Sequence, residues 1–166
     1  MPVPVPVPAS RARRRPVVAP VAVTPRPPKV AAPAARVSTH PPKERTPAIE
    51  AVIERVRAIC LALPDSTEVI AWGEPTWRVA GKQFAMFDTH HHGSPHLSVW
   101  IPAAPGAQAG LIEADPARFW RPPYVGGKGW VAIIVDDAAP PWDMIGSLIA
   151  QAHQLVAPIR KPRARR

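Results

Sequence analysis

Ile49, Val52, Ile53, Val56, Ile59, Cys60 and Leu63 recur at steps of three and four between Thr46-Pro47 and Pro64. That spacing predicts an amphipathic helix, opened at Thr46-Pro47 and ended by Pro64. The period then changes to two. Glu68 to Trp72, Thr76 to Ala80, Lys82 to Asp88 and His96 to Ile101 alternate, punctuated by Gly73-Glu74-Pro75, Gly81 and His92-Gly93-Ser94-Pro95, which predicts an antiparallel meander. Ala107 to Ala114 is a short helix candidate and Trp130 to Val135 a further strand, while Trp142, Ile145, Leu148, Ile149, Ala152 and Val156 mark a closing helix. The order α-β-β-β-β-α-β-α implies an α+β fold, an antiparallel sheet of about five strands packed with N- and C-terminal helices.

Alternation also sorts side chains between the two sheet faces. If Trp77 and Val79 face the helices, Thr76 and Arg78 point the other way; on the fourth strand Leu97, Val99 and Ile101 oppose His96, Ser98 and Trp100. One face then displays Arg78, His96 and Trp100, unless a second layer covers it. Four histidines, His90, His91, His92 and His96, are the only cluster with metal-ligand chemistry. Consecutive residues of an extended segment point in opposite directions, so the spacing is poor for a metal and none is expected. Cys60 falls on the apolar helix face and reads as a packing thiol, and Asp136-Asp137 reads as turn residues at a strand end. No constellation of nucleophile, acid and base emerges, and an enzyme is not expected.

Composition divides the chain. Thirteen of its 25 prolines precede residue 48, in runs such as P-V-P-V-P-V-P, and proline removes donors and fixes φ. Residues 1–47 are therefore expected to be an extended, disordered Pro/Arg-rich arm, residues 48–157 the folded domain, and residues 158–166 a basic tail. The net charge of +9 follows the same partition: nine Lys/Arg against one acid in the arm, seven against eleven in the domain, five against none in the tail. Arg11, Arg13, Arg14 and Arg15, with Arg160, Lys161, Arg163, Arg165 and Arg166, can neutralise phosphates without adopting a fold. No apolar run reaches the ~18 residues that span a bilayer, so a cytoplasmic protein without a membrane partner is expected. The lone cysteine excludes an internal disulfide.

Three ordered stretches are specific. Residues 72–85, W-G-E-P-T-W-R-V-A-G-K-Q-F-A, residues 115–130, D-P-A-R-F-W-R-P-P-Y-V-G-G-K-G-W, and residues 152–158, A-H-Q-L-V-A-P, resemble the W-G-x-P-T-[FW]-R-V-x-G-K-x-F-A region, the D-P-x-x-F-x-x-P-P-Y-V-G-x-x-G-W region and the closing helix of the MmcQ/YjbR family of small bacterial proteins. The resemblance runs from about Ile49 to Arg160. It implies a frataxin-like (CyaY-like) fold and a DNA-binding role attributed to hairpin wings. Frataxins use an acidic first helix for iron, but here that helix offers only Glu50 and Glu54 beside Arg55 and Arg57, and no cofactor is expected. Many relatives read L-S-L-K-V on the fourth strand, whereas Trp100 stands here where that lysine would be.

The candidate nucleic-acid contacts within the domain are Arg78, Lys82 at a predicted hairpin turn, Trp100, and Lys128 in a glycine-rich loop expected to be flexible. The leading expectation is a non-enzymatic DNA-binding protein with little sequence preference, aided by its tails. The alternative is a module that binds a protein or small ligand on the sheet face around Arg78, His96 and Trp100.

Overall fold

The computed structural model describes residues 45–90 and 94–159. Helix α1 spans Pro47–Leu61: Thr46 Oγ1 accepts from the Ile49 N–H at 3.3 Å and proline occupies the first turn, where its missing N–H costs nothing. Strands β1 (Ser66–Ala71), β2 (Glu74–Val79), β3 (Lys82–Thr89) and β4 (Leu97–Pro102) follow as a meander. Helix α2 (Ala107–Ala114), strands β5 (Phe119–Trp120) and β6 (Trp130–Ile134), and helix α3 (Trp142–Val156) complete the fold. The sheet order is β1-β2-β3-β4-β6-β5, antiparallel throughout.

The sheet thus has six strands where about five were expected. The extra one, β5, is only two residues long, too short to carry a period. The boundary of the N-terminal arm also shifts, because Arg45, Thr46 and Pro47 already belong to the fold. The rest of the arm, with Arg11, Arg13, Arg14 and Arg15, lies outside the described residues, as do the C-terminal cations Arg160, Lys161, Arg163, Arg165 and Arg166 and the histidines His91 and His92.

One sheet face carries the main core. Ile53, Val56 and Cys60 of α1 and Ile145, Ile149 and Ala152 of α3 pack on Trp77, Phe84, Phe87, Val99, Val131 and Ile133. Each fully buried aliphatic side chain contributes roughly 1.5–3 kcal/mol. Phe84 and Ala85 are consecutive and both buried, which breaks the alternation; the β2–β3 register slips between Trp77 and Arg78, so one extra β3 residue is turned inward there. Two polar groups entering this layer are matched. Glu68 accepts from Arg57 Nε at 2.7 Å and from the Trp77 indole at 3.0 Å, and His153 Nε2 lies 2.9 Å from the Pro64 carbonyl with its ring edge-on to Phe84.

At the other end of β2 lies a buried carboxylate. Glu74 is fully buried; it accepts from Arg45 Nη2 at 3.0 Å, and from the Thr89 N–H and Thr89 hydroxyl, each at 3.0 Å. Arg45 Nη2 also reaches the Gly73 carbonyl at 3.0 Å. One guanidinium therefore joins the start of α1, the β1–β2 turn and the end of β3.

Two outcomes are expected. Arg45→Ala removes the guanidinium paired with the buried Glu74 carboxylate, a loss of about 3 kcal/mol that will appear as a lowered urea midpoint at unchanged slope. Burial also pushes the Cys60 thiol far above its ordinary range. The unfolded thiol ionises near pH ~8.5 while the folded one stays neutral. Stability from this group is therefore fully present below pH ~8.5 and declines above it, by at most about 1.4 kcal/mol per pH unit. Urea melts between pH ~8 and ~10 will show the decline, and Cys60→Ala will remove that component of the slope.

Candidate functional site

The face of the sheet turned away from α1 and α3 is built from a cross-strand row. Thr76, Met86, Trp100, Ala132 and Trp120 are successive register partners, so alternation puts their side chains on one side. Met86, Trp100 and Ala132 form a second small core, against which Trp120, Val125 and Trp130 pack. Trp100 is only 3% exposed, meets the Trp120 ring edge-on at 6.1 Å, and donates its indole N–H to Ser98 Oγ at 2.9 Å.

Trp100 is therefore not displayed: of the two outcomes that alternation left open, it is the covered one that holds. The Trp120 ring from edge strand β5 and Val125 from the segment after it pack over this end of the face and bury it. That segment is not a loose glycine loop either. Gly126 N–H donates to the Pro122 carbonyl at 3.0 Å, Lys128 N–H to the Val125 carbonyl at 2.8 Å, and Gln108 of α2 donates its side-chain amide to the carbonyls of Gly126 and Trp130. At Gly126 a Cβ would stand 2.5 Å from Arg121 Cγ, so the Arg121 side chain lies across the glycine backbone.

Between this cover and the β1–β2 turn a pocket of about 520 Å³ opens, lined by Trp72, Glu74, Gln83, Met86, Trp100, Tyr124, Val125, Lys128 and Trp130. Such a volume is typical of small-molecule sites. Two of its aromatics project to solvent, Trp72 at 55% and Tyr124 at 76% exposure. Both sit in left-handed backbone, with φ of 53° and 63°, which is a true outlier for a bulky side chain. At Trp72 the cause is visible. Ala71 pairs with Glu74, and Trp72-Gly73 is a two-residue turn with both φ positive, the pattern of a type I′ hairpin, which favours Asn-Gly. Arg45, bound to the Gly73 carbonyl and to Glu74, holds that turn.

Of the residues anticipated from sequence, the structure brings Trp100 and Lys128 into this pocket. Arg78 and Lys82 lie on the neighbouring β2–β3 hairpin outside it, Lys82 exposed beside Gly81, whose φ of 78° serves the turn. His96 stands before β4, 3.4 Å from Asp136, and His90 Nδ1 lies 3.1 Å from the Ser94 carbonyl. Arg78, His96 and Trp100 do not assemble into one exposed site. Among the described residues, no group of three His, Cys, Asp or Glu side chains is placed to hold a metal. No helix there is long and apolar enough to cross a membrane.

Charge is distributed unevenly. Arg45, Arg57 and Arg118 are ion-paired to Glu74, Glu68 and Asp137, and Arg55 lies over the Trp142 ring. Lys82, Arg121 and Lys128 are exposed and form no ion pair among the described residues. The pocket residues that periodicity missed, Trp72, Tyr124 and Trp130 above all, fall in the stretches 72–85 and 115–130 that carry the family resemblance, and that was the available signal.

The YjbR family profile matches residues 61–155, which contain every residue lining the pocket. The chain belongs to the YjbR family. A crystal structure of Deinococcus radiodurans protein DR2400, described as a DUF419 domain, is similar in fold at 21% identity and a TM-score of 0.53, covering 63% of this chain and 77% of that one. No curated protein matches the chain significantly. The match to DR2400 is one of fold, and the antiparallel sheet with N- and C-terminal helices agrees with the order that periodicity implied.

Because the left-handed Trp72 costs roughly 1–3 kcal/mol, Trp72→Asn will stabilise the protein, raising Tm by about 3 °C in a thermal melt. A lowered Tm would mean that the indole contributes more by packing than its backbone loses.

Proposed function

We propose that this YjbR protein is a non-enzymatic nucleic-acid-binding protein of low sequence preference that engages single-stranded DNA on the aromatic face of its sheet. What carries the reading is the meeting of Trp72, Tyr124 and Lys128 on one concave surface. Exposed aromatics stack only on bases that are not already stacked in a duplex, and every base offers a π-face, so the contact is tolerant of sequence. Lys82, Arg121 and Lys128, three exposed cations without ion pairs among the described residues, belong to the two segments flanking this face, whereas Arg45, Arg57 and Arg118 are committed to carboxylates. Glu74, the acid on the pocket lining, is engaged by Arg45 and Thr89 and is a structural group in this reading, not a general base. The tail cations add attraction that needs no shaped surface.

The pocket's volume favours one competing reading, a module for a small ligand with the tails incidental. Melting shifts against metabolites in the absence of nucleic acid address it.

The nucleic-acid reading is tested with the full chain by fluorescence anisotropy, comparing a single-stranded oligonucleotide with the duplex of the same sequence over a salt series. The single strand will bind more tightly, and Arg121→Glu with Lys128→Glu will weaken it about tenfold by removing two phosphate partners and adding two repulsive charges. Neutralising the tail arginines will flatten the salt slope by about 0.7 for each phosphate no longer paired. Equal affinity for duplex and single strand, or no binding at low salt, would overturn the reading.

A further inference from the structure

The pocket beneath the two exposed aromatics has chemistry more specific than a stacking surface. Its lining is mostly aromatic and apolar: Trp72, Trp100, Tyr124 and Trp130 with Met86 and Val125. Among the described residues, three polar side chains other than the tyrosine and indole groups join it, Gln83, Glu74 and Lys128. An aromatic cage with an acid in its wall is also the arrangement that takes a quaternary ammonium, so the charge state of the site discriminates between two ligand chemistries. Glu74 is neutralised by Arg45 at 3.0 Å and accepts two further hydrogen bonds from Thr89. Lys128, in contrast, has no ion pair among the described residues. Among the described residues the uncompensated charge of the pocket is therefore positive, which repels a cationic ligand and suits a planar heteroaromatic group bearing an anion.

We infer that the pocket is a nucleobase-phosphate site: one unstacked base packs against Trp72 and Tyr124, the Gln83 amide meets the base edge, and Lys128 holds the attached phosphate. An amide offers both a donor and an acceptor, so it accommodates different base edges, and an ammonium is a point charge suited to a phosphate without demanding one geometry. The backbone supports the same assignment. Of the five non-glycine residues with left-handed φ among the described residues, Asp65, Trp72, Ala80, His90 and Tyr124, the two bulkiest aromatics both lie on this pocket, from segments far apart in the chain. Left-handed backbone at a bulky residue persists only where surrounding contacts enforce it, and it gathers at ligand sites. Here it projects two rings at the pocket mouth that ordinary backbone at those positions would direct elsewhere.

The inference deepens the nucleic-acid reading and rests on it for the source of the base, a single strand; a free nucleotide presents the same chemistry, and the two sources are separable. The full chain is titrated with a dye-labelled single-stranded oligonucleotide, with the same backbone carrying abasic residues throughout, and by calorimetry with a nucleoside monophosphate, inorganic phosphate and choline. The intact strand will bind about tenfold more tightly than the abasic one, and the monophosphate more tightly than inorganic phosphate. Trp72→Asn and Tyr124→Asn will each lose about tenfold for the intact strand and nothing for the abasic strand. Trp72→Asn will do so while melting no lower than the parent, which separates lost stacking from lost folding.

Equal binding of intact and abasic strands would overturn the base site and leave strand binding standing. Binding of the monophosphate with no affinity for any strand would sustain the base site and overturn the nucleic-acid reading. Binding of choline with nucleotides inert would overturn the ligand chemistry, and no binding by any probe would overturn both proposals.

Discussion

A carboxylate at the end of β2 is sealed from solvent, and the structure is organised around its neutralisation. Removing a charged group from solvent costs several kcal/mol unless a counter-charge and hydrogen bonds replace the water. For Glu74 the counter-charge is Arg45 and the further bonds come from Thr89. Those partners stand at the lead-in to α1 and the end of β3, so placing the carboxylate fixes three elements together. Arg45 also reaches the Gly73 carbonyl, and that hydrogen bond holds the turn that keeps Trp72 in left-handed backbone. A strain of roughly 1–3 kcal/mol is sustained by an ion pair whose removal would cost about as much or more.

This arrangement leaves the two faces of the sheet with different properties. On the helix side, cations are tied down, with Arg57 bound to Glu68 and Arg55 over Trp142, and the layer between is apolar and closed. On the other side, a cover of only a few residues shields Trp100 and Met86 but stops short of the β1–β2 turn. The gap is the pocket. Its lysine has no ion pair among the described residues and two of its aromatics face solvent, the composition of a surface suited to a planar anionic group.

Much of this was legible in the chain. The three-and-four spacing from Ile49 to Leu63 and from Trp142 to Val156 marked both long helices, because helix periodicity is a local property that burial against one layer enforces. Gly73 and Gly81 marked the two hairpins, since only a few residues accept the φ of 78° found at each, although the first turn is Trp72-Gly73 and Glu74 and Pro75, read as punctuation, open β2. The alternation that assigned Trp77 and Val79 to the helices and Trp100 to the other side agrees with the packing. Exposure was left open: alternation says which way a side chain points and nothing about what lies above it. Trp100 is buried by Trp120, Val125 and Trp130, and the first two of these come from a two-residue strand and a turn with no period of their own. Arg45 was similarly hidden among tail cations, for nothing in a Pro/Arg-rich context distinguishes the one arginine that reaches a carboxylate 29 residues away.

By itself the sequence determined the fold class, the succession of helices and hairpins, the separation of tail charge from domain charge, and the family, because each depends on patterns within a few residues or on an ordered set of short stretches. Only the tertiary structure decided that Trp72 and Gln83 from one of those stretches meet Tyr124, Lys128 and Trp130 from another around a single pocket. It also decided that Glu74 in the pocket wall is neutralised by Arg45 while Lys128 meets no carboxylate among the described residues. The physical reason is that a site's shape and charge are sums over groups distant in the chain. Which carboxylate has a counter-ion, and which aromatic has a cover, are properties that exist only once those groups are brought together.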